Sequence, residues 1–272
     1  MAMRRNPPPI YPGQRPGGSA LDHYRRLRAA GAARRRIVLA ASSLGVAVVL
    51  LLLVGWRLAV AGLLFTAAAV LIWQWRTDDA RTWAKGARGE QRTARLLQPL
   101  ERLGYVVLHD RALPRSRANV DHLVICPSGL VVLVDSKQWA RGKVVKSDGR
   151  RLRVGRVGGR KIVGSAEFER RRVAETLARD LGPDAPEVLA VLAIHGGRLP
   201  VWRTPTVDGI PLLRARQVRA WIQAAAGPDR PEDFGMVGLV GEACHRLFPP
   251  YVDPGPAPTA AASSWRPRRR TA

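Results

Sequence analysis

Asn119-Val120-Asp121-His122-Leu123-Val124-Ile125-Cys126-Pro127-Ser128-Gly129-Leu130-Val131-Val132-Leu133-Val134-Asp135-Ser136-Lys137 reads as two short strands joined by a turn. Cys126-Pro127-Ser128-Gly129 has turn chemistry, and the apolar, β-branched runs on either side have strand chemistry. If the hairpin folds symmetrically about Ser128, Asp121 falls opposite Asp135. Directly opposed residues have Cβ atoms about 4.5–5.5 Å apart, so two carboxylates meet on one face. Such a pair destabilises a sheet unless a cation sits between its members. Lys137 lies two residues beyond Asp135 and points to the same face. A register slip of one residue would instead send the two acids to opposite faces.

Two acids and a lysine at a strand end suit metal-assisted hydrolysis of a phosphodiester. Asp121 and Asp135 are hard oxygen ligands for Mg²⁺ (or Mn²⁺), which takes one or two carboxylates plus water and phosphate oxygens. The backbone carbonyl of Ser136 is a further candidate ligand. A bound dication lowers the pKa of its water and neutralises transition-state charge. Lys137 would position the attacking water or stabilise the developing charge. The same spacing also occurs at ordinary solvated strand ends. Glu90, in Gly86-Ala87-Arg88-Gly89-Glu90, shares the core-facing stripe of a predicted helix with Ala94 and Leu97. An inward Glu needs a partner, which a metal-bound water or Lys137 would provide. The alternative is an acid favoured near a helix N-terminus by the dipole.

Outward from the hairpin the pattern is mixed. Ala80–Leu103 predicts a helix stopped by Gly104, followed by a strand over Tyr105–His109. Lys143–Val157 reads as a basic hairpin and Glu167–Leu181 as a helix. Val188–Ile194 is a continuous apolar run suited to a buried central strand. Arg214–Ala225 and Gly238–Phe248 read as closing helices. The order α-β-β-β-α-β-α-α predicts an α/β domain over 77–250, with a small mixed sheet flanked by helices. His122 points away from Asp121 along its strand and is expected to be packed or hydrogen-bonded. His195, at a strand end, could approach the site.

Toward the N-terminus, Ile37 to Trp75 contains one charge, Arg57. As a single helix it would be about 58 Å long, against a bilayer core of about 30 Å. Two spans fit, divided at Gly55-Trp56-Arg57, so 34–76 reads as a transmembrane helical hairpin; a re-entrant or single-span arrangement is the alternative. Arg34, Arg35 and Arg36 precede the first span, and Arg76, Arg81, Lys85 and Arg88 follow the second. The positive-inside rule then places both termini in the cytoplasm of a multi-pass cell-membrane protein. Cys126 and Cys244 are expected as free thiols. Pro/Gly-rich residues 1–33 and Pro/Ala/Ser-rich residues 251–272 read as disordered basic tails.

Gly86-x-x-Gly89-Glu90, Asn119-Val120-Asp121-His122 and Asp135-Ser136-Lys137, with Trp139 and Gly142, resemble the nuclease-related domain (NERD) family over about residues 82–195. That family is assigned to the PD-(D/E)XK phosphodiesterase superfamily, with a restriction-endonuclease-like fold. The resemblance implies Mg²⁺-dependent cleavage of DNA or RNA. In it Asp121, Asp135 and Lys137 match the catalytic triplet and Glu90 matches the acid of the first helix. Two departures stand out. Asp135 occupies a position where Glu is commoner, and 164–171 lacks the Gln that such domains often carry on the following helix. The contact it would make is then either missing or replaced by Glu167 or Arg170.

The net charge is +24, and residues 76–272 alone carry +15. That excess favours polyanions, meaning nucleic acid or anionic lipid. Arg150, Arg151, Arg153 and Arg156 on the basic hairpin are candidate phosphate contacts; the same residues would also serve as a solvated edge that discourages sheet pairing. Two cysteines exclude a disulfide scaffold and a Cys-rich zinc module. The leading expectation is a membrane-tethered, metal-dependent nuclease. The alternative is a non-catalytic, nuclease-like module that binds nucleic acid or a protein partner at the membrane. The sequence leaves the oligomeric state open.

Overall fold

The computed structural model describes residues 15–76, 80–200, 202–227 and 234–252. Its helices there are α1 (Gly18–Leu53), α2 (Trp56–Arg76), α3 (Ala80–Leu97), α4 (Arg160–Leu181), α5 (Ala215–Ala226) and α6 (Phe234–Leu247). Its strands are β1 (Val106–Ala112), β2 (Asn119–Ile125), β3 (Val131–Gln138), β4 (Val145–Ser147), β5 (Leu152–Val154), β6 (Val157–Gly158), β7 (Val188–His195), β8 (Thr206–Val207) and β9 (Ile210–Arg214). The main sheet runs β1-β2-β3-β7-β9-β8, and β4-β5-β6 form a second, three-stranded sheet. Strands β1, β2 and β3 are an antiparallel meander, whereas β3, β7 and β9 are parallel. The fold is therefore mixed α/β, as expected.

Alternation along the central strands builds a core on each face. Val131, Leu133, Ala190 and Leu192 pack toward α4 and α6 with Val173, Leu177, Val240 and Phe248. Val132, Val134, Val191 and Ala193 pack toward α3 and α5 with Leu97, Leu100, Val218 and Ile222. Pro99 ends the α-helical hydrogen bonding of α3, so Gln98–Leu103 continues as a 3₁₀ turn that Gly104 closes at φ +86°. Strands β8 and β9 add to the predicted order. Pro211 argues against a strand in the sequence, yet it lies opposite Thr206 of β8, and β9 pairs with central β7 through Leu212, Leu213 and Arg214. Helix α4 begins at Arg160, earlier than its sequence pattern suggested.

The N-terminal region departs further from expectation. Helix α1 already starts at Gly18, so the reading of 1–33 as a disordered tail fails from there on; residues 1–14 lie outside the described residues, as do 253–272 of the other tail. Val54 and Gly55 break the apolar block, Gly55 at φ +116°. Both α1 and α2 are long and apolar enough to cross a membrane. They pack closely: a Cβ on Gly62 would fall 2.2 Å from Leu50 Cδ1. Gln74 donates to the carbonyl of Arg35 at 3.1 Å, which sets the two helices level at that end.

The free end of α1 docks on the α/β domain. Asp110, in the left-handed region at φ +49°, accepts the Ser19 backbone N–H at 2.7 Å and the Ser19 hydroxyl at 2.8 Å. Asn119 donates to the same carboxylate at 2.9 Å. A Cβ on Gly17 would fall 2.8 Å from the carbonyl oxygen of Ala87, so this approach to α3 requires glycine.

Candidate active site

β2 and β3 carry their acids to one end of the main sheet. His122 pairs with Val134, and one step further in the same register lie Asp121 and Asp135. The ladder has the predicted register, not the slipped one, and ends one step short of the two acids. Asp135 is 3% exposed, and Lys137 Nζ donates to its Oδ1 at 2.6 Å, so these two side chains share a face as their spacing requires. Asp121 Oδ2 accepts the backbone N–H of Ser136 at 2.8 Å. Glu90 reaches the site from α3 on a buried stripe with Ala87, Ala94 and Leu97, which favours the inward reading. The preceding Gly89 lets α3 approach β3, since a Cβ there would lie 3.2 Å from Cβ of Gln138.

The sequence pointed to Glu167 or Arg170 at the missing Gln position, and the structure corrects this. Arg170 forks onto Glu167 and also donates to the carbonyl of Val188, so the pair is occupied with itself beside β7. Glu169 faces the site instead. It is 7% exposed, accepts from the Ser165 hydroxyl at 2.9 Å and lies in the field of Asp135 and Lys137. The signal was present: Ala166, Glu169 and Val173 occupy one buried stripe of α4, and an acid on such a stripe requires a partner.

Four carboxylates thus surround one ammonium. Burial, then the charges of Asp110 and Asp135, push Glu90 up to about 7, although Lys137 offsets part of this. Burial, with Glu90 and Asp135, raises Asp121 well above the ordinary carboxylate range. Burial and Asp135 push Glu169 up to about 8. Burial opposes the charge on Lys137, but Asp135 and Asp121 outweigh it and raise its pKa. Asp135 Oδ2 and Glu90 Oε2 are buried without a hydrogen-bond partner. Clustered, desolvated acids with orphaned oxygens call for protons or a cation.

Among the described residues, no three His, Cys, Asp or Glu side chains form a metal-binding group by themselves. Mg²⁺ does not demand one, because it keeps several waters and takes one or two carboxylates. The hard oxygen donors and the two orphaned carboxylate oxygens fit such an ion.

A second polar chain backs the site on the α3 face. The Ser136 hydroxyl donates to Thr93 Oγ1 at 2.8 Å, and Thr93 meets His195 Nε2 at 2.8 Å. His122 Nε2 lies 3.3 Å from Ser136 Oγ, and its Nδ1 lies 2.8 Å from Nδ1 of His109. Burial lowers His122 well below the usual range and His109 to about 4, so both imidazoles stay neutral. His122 is hydrogen-bonded, as expected, and His195 reaches the back of the site through Thr93 and Ser136. Both chains converge on Ser136, whose N–H holds Asp121.

The four hairpin arginines stand apart from the acids, on the second sheet and its turns. Arg150, Arg151, Arg153 and Arg156 are all exposed. Asp148 shapes their turn by accepting the backbone N–H groups of Arg150 and Arg151 at 3.0 and 2.7 Å. Cys126 and Cys244 are buried free thiols.

Compared with known families, residues 85–195 match the nuclease-related domain (NERD), a restriction-endonuclease-like domain. The match spans Glu90, Asp121, Asp135, Lys137 and the basic hairpin, and it ends at His195. No curated protein and no solved structure matches the chain.

Proposed function

Because residues 85–195 form a nuclease-related domain, we propose that the protein is a metal-dependent nuclease held at the cytoplasmic face of the cell membrane by the hairpin α1–α2. The observation that carries this reading is the buried cluster of Asp121, Asp135 and Glu90 around Lys137, with one oxygen each of Asp135 and Glu90 left unpartnered. A binding module has no use for acids buried beside a phosphate. Asp121 and Asp135, with the Ser136 carbonyl, would hold Mg²⁺ or Mn²⁺. When bound, the ion supplies a water of lowered pKa and neutralises charge on the phosphate.

The chain's own groups do the rest. Lys137 is kept charged by its carboxylate neighbours and can orient a water or stabilise a non-bridging phosphate oxygen. Glu90, raised to about 7, can take or return a proton near neutral pH. Ser136 fixes the Asp121 carboxylate through its N–H. Arg150, Arg151, Arg153 and Arg156 would neutralise phosphates of DNA or RNA flanking the cleaved bond.

The test uses the full chain in detergent, with DNA and RNA substrates and titrated Mg²⁺ or Mn²⁺. Native protein should cleave, and its melting temperature should rise with metal by mass action. Asp121→Asn and Asp135→Asn should each reduce cleavage by about 10²-fold or more and remove most of the metal-induced stabilisation. Lys137→Ala should abolish turnover while retaining that stabilisation. Absence of both hydrolysis and metal-dependent stabilisation would overturn the nuclease reading in favour of a binding module.

A further inference from the structure

Trp202 is 96% exposed, more than any other large apolar side chain among the described residues, and it lies outside the membrane-length helices. An indole offers a large apolar surface for burial, so one left in water invites a partner. Its loop, between β7 and β8, is tied down at both ends. The N–H of Trp139 donates to the His195 carbonyl at 2.8 Å, and Gly196, at φ +83°, sits where a Cβ would fall 2.2 Å from the Trp139 carbonyl oxygen. Arg198 exchanges backbone hydrogen bonds with the basic hairpin, donating to Lys143 at 2.8 Å and accepting from Val145 at 2.9 Å. Asp208 N–H then donates to Gly149 at 2.9 Å. Loop and hairpin are one built surface.

That surface is cationic. Residues 141–161 hold nine basic side chains against one acidic. In the second sheet Val145 faces Val154 on the buried side, while Lys146 faces Arg153 on the exposed side. Directly opposed like charges destabilise a strand pair unless an anion lies across them. Arg198 and Arg203, in the same loop as Trp202, are both exposed. The hairpin follows β3 and the loop follows β7, at the sheet end where Lys137 pairs with Ile194 and Gln138 with His195. The surface therefore leaves the main sheet at the same end as the acid cluster.

The geometry points to a binding site for single-stranded nucleic acid, in which Trp202 stacks on an unpaired base and Lys146 with Arg153 takes the adjoining phosphates. This deepens the nuclease reading and rests on it, since it names the form of substrate that would be led to the same acids. A phosphate track beside a lone exposed aromatic is how sequence-tolerant single-strand binders work, because every base has a face to stack. A duplex offers the indole no free base face. An exposed Trp among basic residues also suits an anionic membrane surface. The opposed cation pair, in a hairpin to which the Trp202 loop is hydrogen-bonded, favours nucleic acid.

The test measures binding of labelled oligonucleotides to the full chain in detergent with chelator present, so that no cleavage occurs. Trp202→Ala should weaken single-strand binding about tenfold and leave duplex binding within about twofold, whereas Trp202→Phe should retain most of the affinity. Lys146→Glu with Arg153→Glu should weaken both and flatten the salt dependence. Equal single-strand affinity of native and Trp202→Ala protein, or equal losses for both strand forms, would overturn the proposal. Shielding of a Trp202→Cys thiol from a water-soluble reagent in anionic but not neutral nanodiscs, without shielding by oligonucleotide, would overturn it in favour of lipid. Cleavage is scored separately with metal. A chain that cleaves but ignores Trp202→Ala removes this inference alone, and one that binds single strands through Trp202 but never cleaves removes the nuclease reading alone.

Discussion

Glu169 approaches Asp135 and Lys137 from α4 and accepts a hydrogen bond from the Ser165 hydroxyl at 2.9 Å. Burial makes its charge costly in the absence of a dication. Its pKa is raised from 4.5 to about 8, so the unfolded chain ionises this group before the folded one does. From about pH 4.5 upward the folded state therefore binds more protons than the unfolded state, and stability falls until about pH 8. Glu169→Gln keeps the size and can still accept from Ser165, but it does not titrate. In chelator its melting temperature should exceed that of the native chain by a margin that opens near pH 4.5 and levels off near pH 8. Glu90, raised to about 7, adds a decline of the same sign over a narrower window. Melting curves across pH check this. A native chain that gains stability between pH 5 and 8 without metal would show that these acids are not held as the structure implies. With saturating Mg²⁺ the decline should shrink, since an ion supplies the positive charge the cluster lacks.

At the scale of elements, the clasp between α1 and β1 makes a sharp prediction. Asp110 receives both the backbone and the hydroxyl hydrogen bond of Ser19. Asp110→Ala removes a helix-end acceptor worth about 1 kcal/mol. Hydrogen exchange should then speed up over residues 18–30, while β3 and β7 keep their protection; an unchanged exchange pattern would show that the clasp does not hold α1. This element was also the least legible in the sequence. Gly17 and Gly18 beside Pro16 read as a solvated tail, because nothing local reveals that Gly17 must lie against Ala87. Strands β2, β3 and β7 were legible because they are buried runs with a turn or a helix between them. The Asp121–Asp135 register was legible because Pro127, Ser128 and Gly129 fixed the turn. Strand β9 was hidden by Pro211, but Leu212 donates to the Pro205 carbonyl, so the Pro211 nitrogen faces away from β8, at a position before the pairing with β7 begins at Leu212. Glu169 was harder to read, because half-buried Glu167 and Arg170 carry the more conspicuous charges and only the stripe shared with Ala166 and Val173 marks Glu169 as buried.

For the whole molecule, α1 and α2 leave apolar surface that water would not tolerate. Leu52, Leu53 and Phe65 are each more than three-quarters exposed. Each such side chain forgoes about 1.5–3 kcal/mol when left uncovered. A bilayer would cover them, and the Gln74–Arg35 bond marks where the two helices stand level, beside the arginines 34–36. Helix α1 has 36 residues against 21 in α2, so its first half projects beyond that level. The stretch from Gly18 to Arg36 is about 28 Å long and carries the α/β domain at its tip. Because Arg57 is the only charge in the connecting turn, the positive-inside rule predicts the domain in the cytoplasm and Trp56 on the opposite side. Cys126 and Cys244 are buried, so an introduced thiol reports with little background. On intact cells, Trp56→Cys should react with a membrane-impermeant maleimide, and Arg151→Cys should react only after lysis. The reverse pattern would put the acid cluster and its basic hairpin outside, away from cytoplasmic nucleic acid. Labelling of both positions on intact cells would contradict the two-span hairpin, because two spans must place the turn and the domain on opposite sides of the same bilayer.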